Sequence, residues 1–506
     1  MSPLEYAIQQ FGIEPHLPKE LYRLKQPLRQ YQRAGVEFLI KPLPILNGEQ
    51  TRGIILGDEV GLGKTAVTVI AAHHLTPPDK QILVICPAAI KLNWQREIFK
   101  WLGEDQSVSI IRGKGAAVQL PSRWVIINYD IVPAHTEWLS YIGFQVMIVD
   151  ECQSVKNRGT KRAAAILGAR ANSKKGIVHT DGLAKSIHGR IFLLSGTPIA
   201  NRTSDLFPLL RAVNHPLGRN FRAFGFRYCG AQPIVGSMGK RFGTEYKGSD
   251  NLDELRHAVA PIFIQRKKKD YLKELPPVQR IWMPVEVDLK IYKAVMLDFH
   301  RRRKEGELKT MVSVLAAINE ARVTIAMSKI PTTVELTEMS IQKGQKVIIG
   351  SQFTRVVDSL RQTFGDRACY YTGKETEKHK QKVVDQFQAG YFDIFVGTYT
   401  NGKSCATGLT LTQGSVVVVS DFDWVPSNIV QLIGRADRMG QTQKVTAYLP
   451  VATGTFDEDH AILLEQKFQN VNDFEGVNDS LFDDLMARLE TAPKNDHVKA
   501  LYKGLT

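Results

Sequence analysis

Only five cysteines occur in the chain (Cys86, Cys152, Cys229, Cys369 and Cys405); they lie far apart, and no two form a CxxC pair. That spacing argues against a disulfide framework and against a zinc module, and it fits a reducing, intracellular compartment. Long apolar runs are missing too. The longest, such as Ile82 to Cys86 and Val416 to Val419, fall far short of the ~20 residues that cross a bilayer. Residues Met1 to Gln10 lack the basic stretch and apolar core of a secretory signal, so neither a membrane nor export is expected. Low-complexity tracts and internal sequence repeats are absent as well.

What is present is a long chain of globular composition. Hydrophobic residues make up 43% and charged residues 23%, with 39 Gly and 23 Pro spread throughout, which excludes a disordered protein. Single cores stop growing near roughly 250 to 300 residues, so 506 residues predict two lobes. Lys and Arg total 66 against 51 Asp and Glu, a net charge of +15. A polyanionic partner follows from that charge, or else simply a basic enzyme.

Short β-branched runs that end in small or polar residues and precede helix-favouring stretches read as buried parallel strands. They fall at Gln81 to Pro87, Trp124 to Asp130, Phe144 to Asp150 and Arg190 to Gly196, and the pattern restarts at Lys346 to Ser351, Ala368 to Gly373, Asp393 to Thr398 and Ser415 to Asp421. The expected fold is α/β: two tandem parallel-sheet lobes, 1–275 and 276–506, with a helical insertion from the charged stretch Leu289 to Met327. Functional residues belong at the strand C-termini, where open parallel sheets bind ligands. The segment Asn172 to Arg190, rich in Gly, Lys, His and Ser, reads as a long surface loop that either probes branch points or is a solvated insertion.

Three segments carry chemistry. Asp58-Glu-Val-Gly61-Leu-Gly63-Lys64-Thr65 follows an apolar strand and precedes a helix-like run. Such glycines let backbone N–H groups converge on phosphates, Lys64 can reach the β- and γ-phosphates of ATP, and Thr65 can ligate Mg2+. Asp150 and Glu151 close the strand Val146 to Val149; Asp150 is expected to hold Mg2+ and Glu151 to orient and deprotonate the attacking water. Far downstream, Gln431 to Gln441 places Arg435 and Arg438 three residues apart. On a helix they would share one face, suited to the charge that develops on a transferred phosphoryl group.

In this order the segments resemble the Swi/Snf-type ATPases of helicase superfamily two, from about Leu28 to Lys467. Leu28-Arg-Gln-Tyr31-Gln32 looks like the adenine-recognition segment, which implies that Gln32 meets the base. The P-loop resembles DEMGLGKT, which places Asp58, Gly61 and Gly63 beside the nucleotide. Asp150-Glu-Cys-Gln153 with Lys156-Asn157 is similar to motif two, Leu194 to Pro198 with Asn201 and Leu206 to motif three, and Pro261 to Asp270 with Leu275-Pro276 to a signature that ordinary helicases lack. Motifs four (Val347 to Phe353), five (Thr407 to Thr412) and six (Asp421 to Gln441, with Gln431 toward the nucleotide) complete the set, with Val425 and Asp437 departing from the usual Asn and His.

The resemblance implies RecA-like lobes, ATP and Mg2+ as cofactors, double-stranded or branched DNA as partner, and monomeric action. It implies DNA contacts at Lys91, Asn93, Trp94, Asn128, Tyr129, Gln352, Thr398 and Thr410, with Trp94 and Tyr129 equally readable as core aromatics. The fork-remodelling, annealing-helicase branch and its compact bacterial and phage relatives look nearest. The expected function is therefore a DNA translocase that remodels forks or branched DNA, in the cytoplasm or nucleoid of a bacterium or phage or in a nucleus. The alternatives are a remodeller that displaces a DNA-bound protein, with a partner surface in a region such as Gly230 to Gly248, and a non-motor binder that uses ATP as a switch.

Overall fold

A computed structural model describes residues 27–464 apart from 114, 116–121, 158, 169–181, 197–202, 236–240, 247, 277, 308–310, 401–404, 407, 424–425 and 463. Thr197, Pro198, Asn201, Thr407 and Val425 of the expected motifs lie outside the described residues, as does most of the 172–190 segment. The chain divides into two compact units between Lys273 and Glu274.

The first unit is built on strands β1 (Gly53–Leu56), β2 (Ile82–Cys86), β3 (Val108–Ile110), β4 (Trp124–Asn128), β5 (Val146–Asp150), β6 (Arg190–Leu194) and β7 (Phe263–Ile264), in the spatial order β7-β1-β6-β5-β2-β4-β3. Every pairing in this sheet is parallel. Parallel strands are covered on both faces, which is why β1, β2, β4 and β5 are buried at each position and read as unbroken apolar runs. Helices α1 (Gln30–Ile40), α2 (Lys64–Leu75) and α3 (Lys91–Leu102) bring Val36, Phe38, Val67, Ile70, Trp94 and Ile98 onto one face of the sheet, against Ile54, Val84, Ile126 and Ile148.

The second unit contains β8 (Gln279–Val285), β9 (Lys346–Ser351), β10 (Ala368–Tyr371), β11 (Ile394–Thr398), β12 (Gly414–Val419) and β13 (Thr446–Ala452), all parallel, in the order β8-β13-β12-β9-β11-β10. Setting β8 to β13 against β1 to β6 gives the same order in both sheets, so the two units repeat one topology, as the restart of the strand pattern in the sequence leads us to expect. The expected helical insertion lies within the second unit, between β8 and β9, as α4 (Leu289–Lys304), α5 (Met311–Ser328) and α6 (Ile330–Gln342). Lys329, at the junction of α5 and α6, fastens it: the fully buried ammonium donates to Asp457 Oδ2 at 2.7 Å and to the Pro450 carbonyl at 3.0 Å. The 172–190 segment is not all loop, since Gly182–Ser186 is a short helix and Arg190 begins β6.

Candidate nucleotide site

The chemistry-bearing residues of the first unit gather at the C-terminal ends of β1, β5 and β6. After β1 the chain turns through Gly61 (φ 101°) and Gly63 (φ 85°), both in the left-handed region that glycine adopts without cost, and enters α2 at Lys64. Lys64 Nζ donates to the Asp58 carbonyl at 2.6 Å, closing the loop over itself. The loop is pinned from outside as well: the Leu62 carbonyl accepts from Tyr31 Oη at 3.2 Å and from Gln32 Nε2 at 3.3 Å. Gln32 Oε1 also accepts from the Arg29 backbone N–H, so this residue caps α1 while it braces the loop.

At the end of β5, Asp150 is buried, with Oδ1 accepting from the Glu151 N–H at 2.9 Å and Oδ2 from Trp94 Nε1 at 2.8 Å. Burial, and then the neighbouring Glu151 carboxylate, push the Asp150 carboxyl up to about 7, against the opposing pull of the Trp94 bond and the Lys64 charge. Glu151 holds a left-handed conformation (φ 55°) that a non-glycine residue adopts only when its surroundings impose it. Its Oε2 accepts from Gln153 Nε2 at 2.6 Å, and Gln153 Oε1 accepts from Ser195 Oγ at 2.8 Å. A chain of hydrogen bonds thus joins the end of β5 to the residue that follows β6. Gly196 lies next to it, where an added Cβ would stand 2.6 Å from Val60 and 3.6 Å from Lys64 Nζ. Gln153 and Ser195 act on this site as members of motifs two and three, and Trp94, expected at DNA, acts on it too. The position of Gln153, two residues past Glu151, was the available signal.

Several expectations are corrected. The Asp58 side chain does not face the loop: it is fully buried and forms a two-toothed ion pair with Arg266, whose guanidinium also donates to the Tyr31 carbonyl. Trp94 and Tyr129 are core residues, Trp94 bound to the Asp150 carboxylate and Tyr129 to the Asp150 carbonyl, which fixes the strand end rather than a DNA contact. Lys91 and Asn128 are buried and bonded to each other at 3.2 Å. Asn93, half-buried in the first turn of α3, keeps a surface position.

In the second unit, helix α7 (Pro426–Ile433) ends before either arginine, so Arg435 and Arg438 do not share a helix face. Arg435 is buried, with its guanidinium on the Gln431 and Leu409 carbonyls, whereas Arg438 is half-exposed and donates to Thr410 Oγ1 at 3.1 Å. Gln431 is buried, and its Nε2 has no hydrogen-bond partner among the described residues. Gln352 is engaged within the unit, donating to the Phe422 carbonyl and accepting from Arg322 at 2.9 Å. Thr398 is buried at the end of β11, and Thr410 is exposed. Among the described residues no group of three or more His, Cys, Asp or Glu side chains could hold a metal alone, and no helix is long and apolar enough to cross a membrane.

A P-loop entering α2, an acidic pair at the end of the strand two places along the sheet, and a repeated second sheet define a P-loop ATPase-type core of two lobes. The comparisons with known proteins name the family: an SNF2-related domain matches residues 31–343, and a helicase conserved C-terminal domain matches 328–440. The chain belongs to the SNF2-related family, and its lobes form a helicase-type ATPase core. It is 26% identical over 95% of its length to the SWI/SNF-related matrix-associated actin-dependent regulator of chromatin subfamily A-like protein 1 of Xenopus tropicalis. It is 25% identical over 88% of its length to the human DNA annealing helicase and endonuclease ZRANB3, and 25% over 87% to an ATP-dependent helicase, MG018, of Mycoplasma genitalium. The chain covers 48%, 40% and 41% of these three proteins, so it spans less than half of the curated relatives it matches.

Replacing Asp58 by Asn leaves the buried Arg266 guanidinium without its counter-charge. A loss of roughly 3–5 kcal/mol is expected, read as a lowered midpoint in urea denaturation.

Proposed function

We propose that the chain is an ATP-driven motor that moves along double-stranded DNA and remodels forks or branched DNA. The observation that carries the reading is the convergence of Lys64, Asp150 and Glu151 at one end of the sheet, linked through Gln153 to Ser195 after β6, the strand between β1 and β5. The P-loop N–H groups and Lys64 bind the phosphates. Glu151, held by Gln153, orients the attacking water and takes its proton. Gln32, already against the loop at Leu62, is positioned to meet the base after exchanging its present partners. Ser195 and Gln153 relay the state of the reacting end to the segment after β6, a route by which hydrolysis reaches the DNA grip.

The residues fit Mg2+ as cofactor. Asp150 is a buried carboxylate held up in pKa by a second carboxylate, an arrangement that a divalent cation relieves, and Thr65 sits half-buried in the first turn of α2. These two would hold the ion together with phosphate oxygens and water, as Mg2+ sites of this kind usually do. When bound, the ion supplies charge neutralisation at the β- and γ-phosphates. Of the paired arginines, Arg438 has the surface position that γ-phosphate contact requires, and Arg435 holds its own lobe together.

DNA as partner is supported by the charge of +15 and by relatives whose names include a DNA annealing helicase. A second reading, displacement of a DNA-bound protein, is favoured by one feature: Ile234 in the hairpin Ala231–Val235/Arg241–Tyr246, and Phe226 beside Tyr246, are large apolar side chains left exposed. Truncating both to Ala should leave DNA-stimulated ATPase intact and abolish only partner displacement if that reading holds.

Three outcomes are expected. Steady-state ATPase should rise strongly with duplex or four-way-junction DNA and little with single strands, and Glu151→Gln should abolish turnover while still binding ATP; no stimulation by any DNA would sink the motor reading. Arg438→Ala should cut turnover by about 10³-fold with the urea midpoint unchanged, whereas Arg435→Ala should lower that midpoint. Because protonated Asp150 cannot ligate a cation, a pKa of about 7 means that protons compete with Mg2+ below neutrality. The Mg2+ concentration for half-maximal rate should therefore be about tenfold higher at pH 6 than at pH 8, and Trp94→Phe, which removes a pKa-lowering bond, should move that dependence to higher pH.

A further inference from the structure

At the opposite end of the first sheet, the N-terminal ends of β1, β5 and β6 surround a cavity of about 480 Å3, within the usual size of small-molecule sites. Arg52 enters it just before β1, Gln145 just before β5, and His188 and Arg190 at the start of β6. Leu43 and Leu75 form apolar wall, and among the described residues no carboxylate lines the cavity.

The rim is firmly built. The N–H groups of Gly189 and Arg190 both donate to the Gln145 carbonyl at 3.0 Å, and that of His188 donates to the Phe144 carbonyl at 2.9 Å. A Cβ on Gly189 would lie 2.4 Å from the same Gln145 oxygen, so only glycine allows this approach. Each arginine is aimed by one bond: Arg52 to the Ile187 carbonyl and Arg190 to the Leu39 carbonyl. Those carbonyls use one nitrogen apiece, and neither guanidinium has a carboxylate partner among the described residues. Positive charge gathers here: Lys41, close by, is held down to about 8 by burial and then by the Arg190 charge, and burial lowers Arg190.

The geometry points to a second anion site on this lobe, one that takes a phosphate-bearing ligand on Arg52, Arg190 and His188, at the opposite ends of the strands that carry the nucleotide site. Guanidinium groups with spare N–H donors bind phosphate oxygens in pairs, and His188 at the mouth adds a donor. The site is also coupled by construction. β1, β5 and β6 run from the cavity to the P-loop, to Asp150-Glu151 and to Ser195-Gly196, roughly 13–17 Å away at the rise of a parallel strand. Occupancy that draws Arg52 and Arg190 together shifts the starts of the strands whose ends must align for hydrolysis. His188, two residues before β6, forms its mouth.

The test uses the full chain carrying Lys64→Ala, so that the P-loop lysine is absent, and inorganic pyrophosphate as the probe in calorimetric titration. Binding is expected, and it should weaken at least about tenfold (~1.4 kcal/mol) in His188→Glu, which places a carboxylate at an exposed position that folding does not need. Arg190→Gln should act likewise and Arg190→Lys should restore part of the affinity. Duplexes with 5′-phosphate or 5′-hydroxyl ends identify the source: discrimination between them that His188→Glu abolishes assigns the site to a DNA end, and no discrimination assigns it to a free anion. Absence of pyrophosphate binding, or binding unchanged in His188→Glu, overturns the proposal. Neither outcome bears on the motor reading, because the titration measures no turnover.

Discussion

The nucleotide loop depends on the buried ion pair between Asp58 and Arg266, residues 208 apart in sequence. Asp58 opens the loop and Arg266 follows β7, so the pair joins the start of the P-loop to the last strand of the lobe. The same guanidinium donates to the Tyr31 carbonyl of α1 and packs where Gly35 leaves room, since a Cβ there would lie 2.6 Å from its Nη2. Backbone bonds run alongside, from Gly57 N–H to the Ile264 carbonyl and from Glu59 N–H to the Arg266 carbonyl. An ion pair in such a place contributes little net stability against an apolar substitute, but it makes every alternative loop path leave a buried charge unpaired. The resemblance puts Asp58 beside the nucleotide; the pair shows that its work is to hold the loop that does the binding.

How much of this was legible follows from what each residue type betrays. Buried parallel strands are continuous β-branched runs, and those marked at Gln81, Phe144, Lys346 and Asp393 appear within a residue or two of their observed starts. The strand β8 is not legible because it lies at the sheet edge, carries Pro284 and is buried only at Trp282 and Val285, so it has neither the composition nor the run of a central strand. Among Arg266, Lys267, Lys268 and Lys269, two of which (Arg266 and Lys268) are buried, nothing in composition tells which one pairs with Asp58; only the fold, by passing α1 and the P-loop over Arg266, decides it. Trp94 is different. Lys91, Trp94, Ile98 and Trp101 recur at helical spacing and are the buried face of α3, so its place in the core was readable from period alone.

The assignment of paired arginines to one helix face failed for a local reason. Helix α7 stops at Ile433, and the chain turns through Gly434, which lets Arg435 fold back onto the Gln431 and Leu409 carbonyls while Arg438 stays at the surface. Spacing that would superpose two side chains on a helix separates them on a turn. One arginine is thereby spent on holding the Thr410 segment against the end of α7, and the division of labour between them comes from where the helix ends.

The repeated topology explains why the tyrosine expected at DNA is a core residue. Tyr129 follows β4 and donates to the carbonyl of Asp150, at the end of β5; Tyr399 follows β11 and donates to the carbonyl of Asp421, beyond the end of β12. In the common strand order β4 corresponds to β11 and β5 to β12, so each sheet uses a buried tyrosine to tie down the acidic residue beyond its central strand. The lobes differ in what surrounds that acid. Both oxygens of each acid accept a hydrogen bond, those of Asp150 from Trp94 and the Glu151 N–H and those of Asp421 from Ser351 and the Gln352 N–H, but only Asp150 sits beside a second carboxylate and near Lys64. Beyond β8, the counterpart of β1, the chain reads Glu286-Val-Asp-Leu289 and enters α4 at Leu289 with no glycine turn. One scaffold is thus built twice, and the glycine turn through Gly61 and Gly63 stands only beyond β1, in the sheet where the tied-down acid has a second carboxylate beside it.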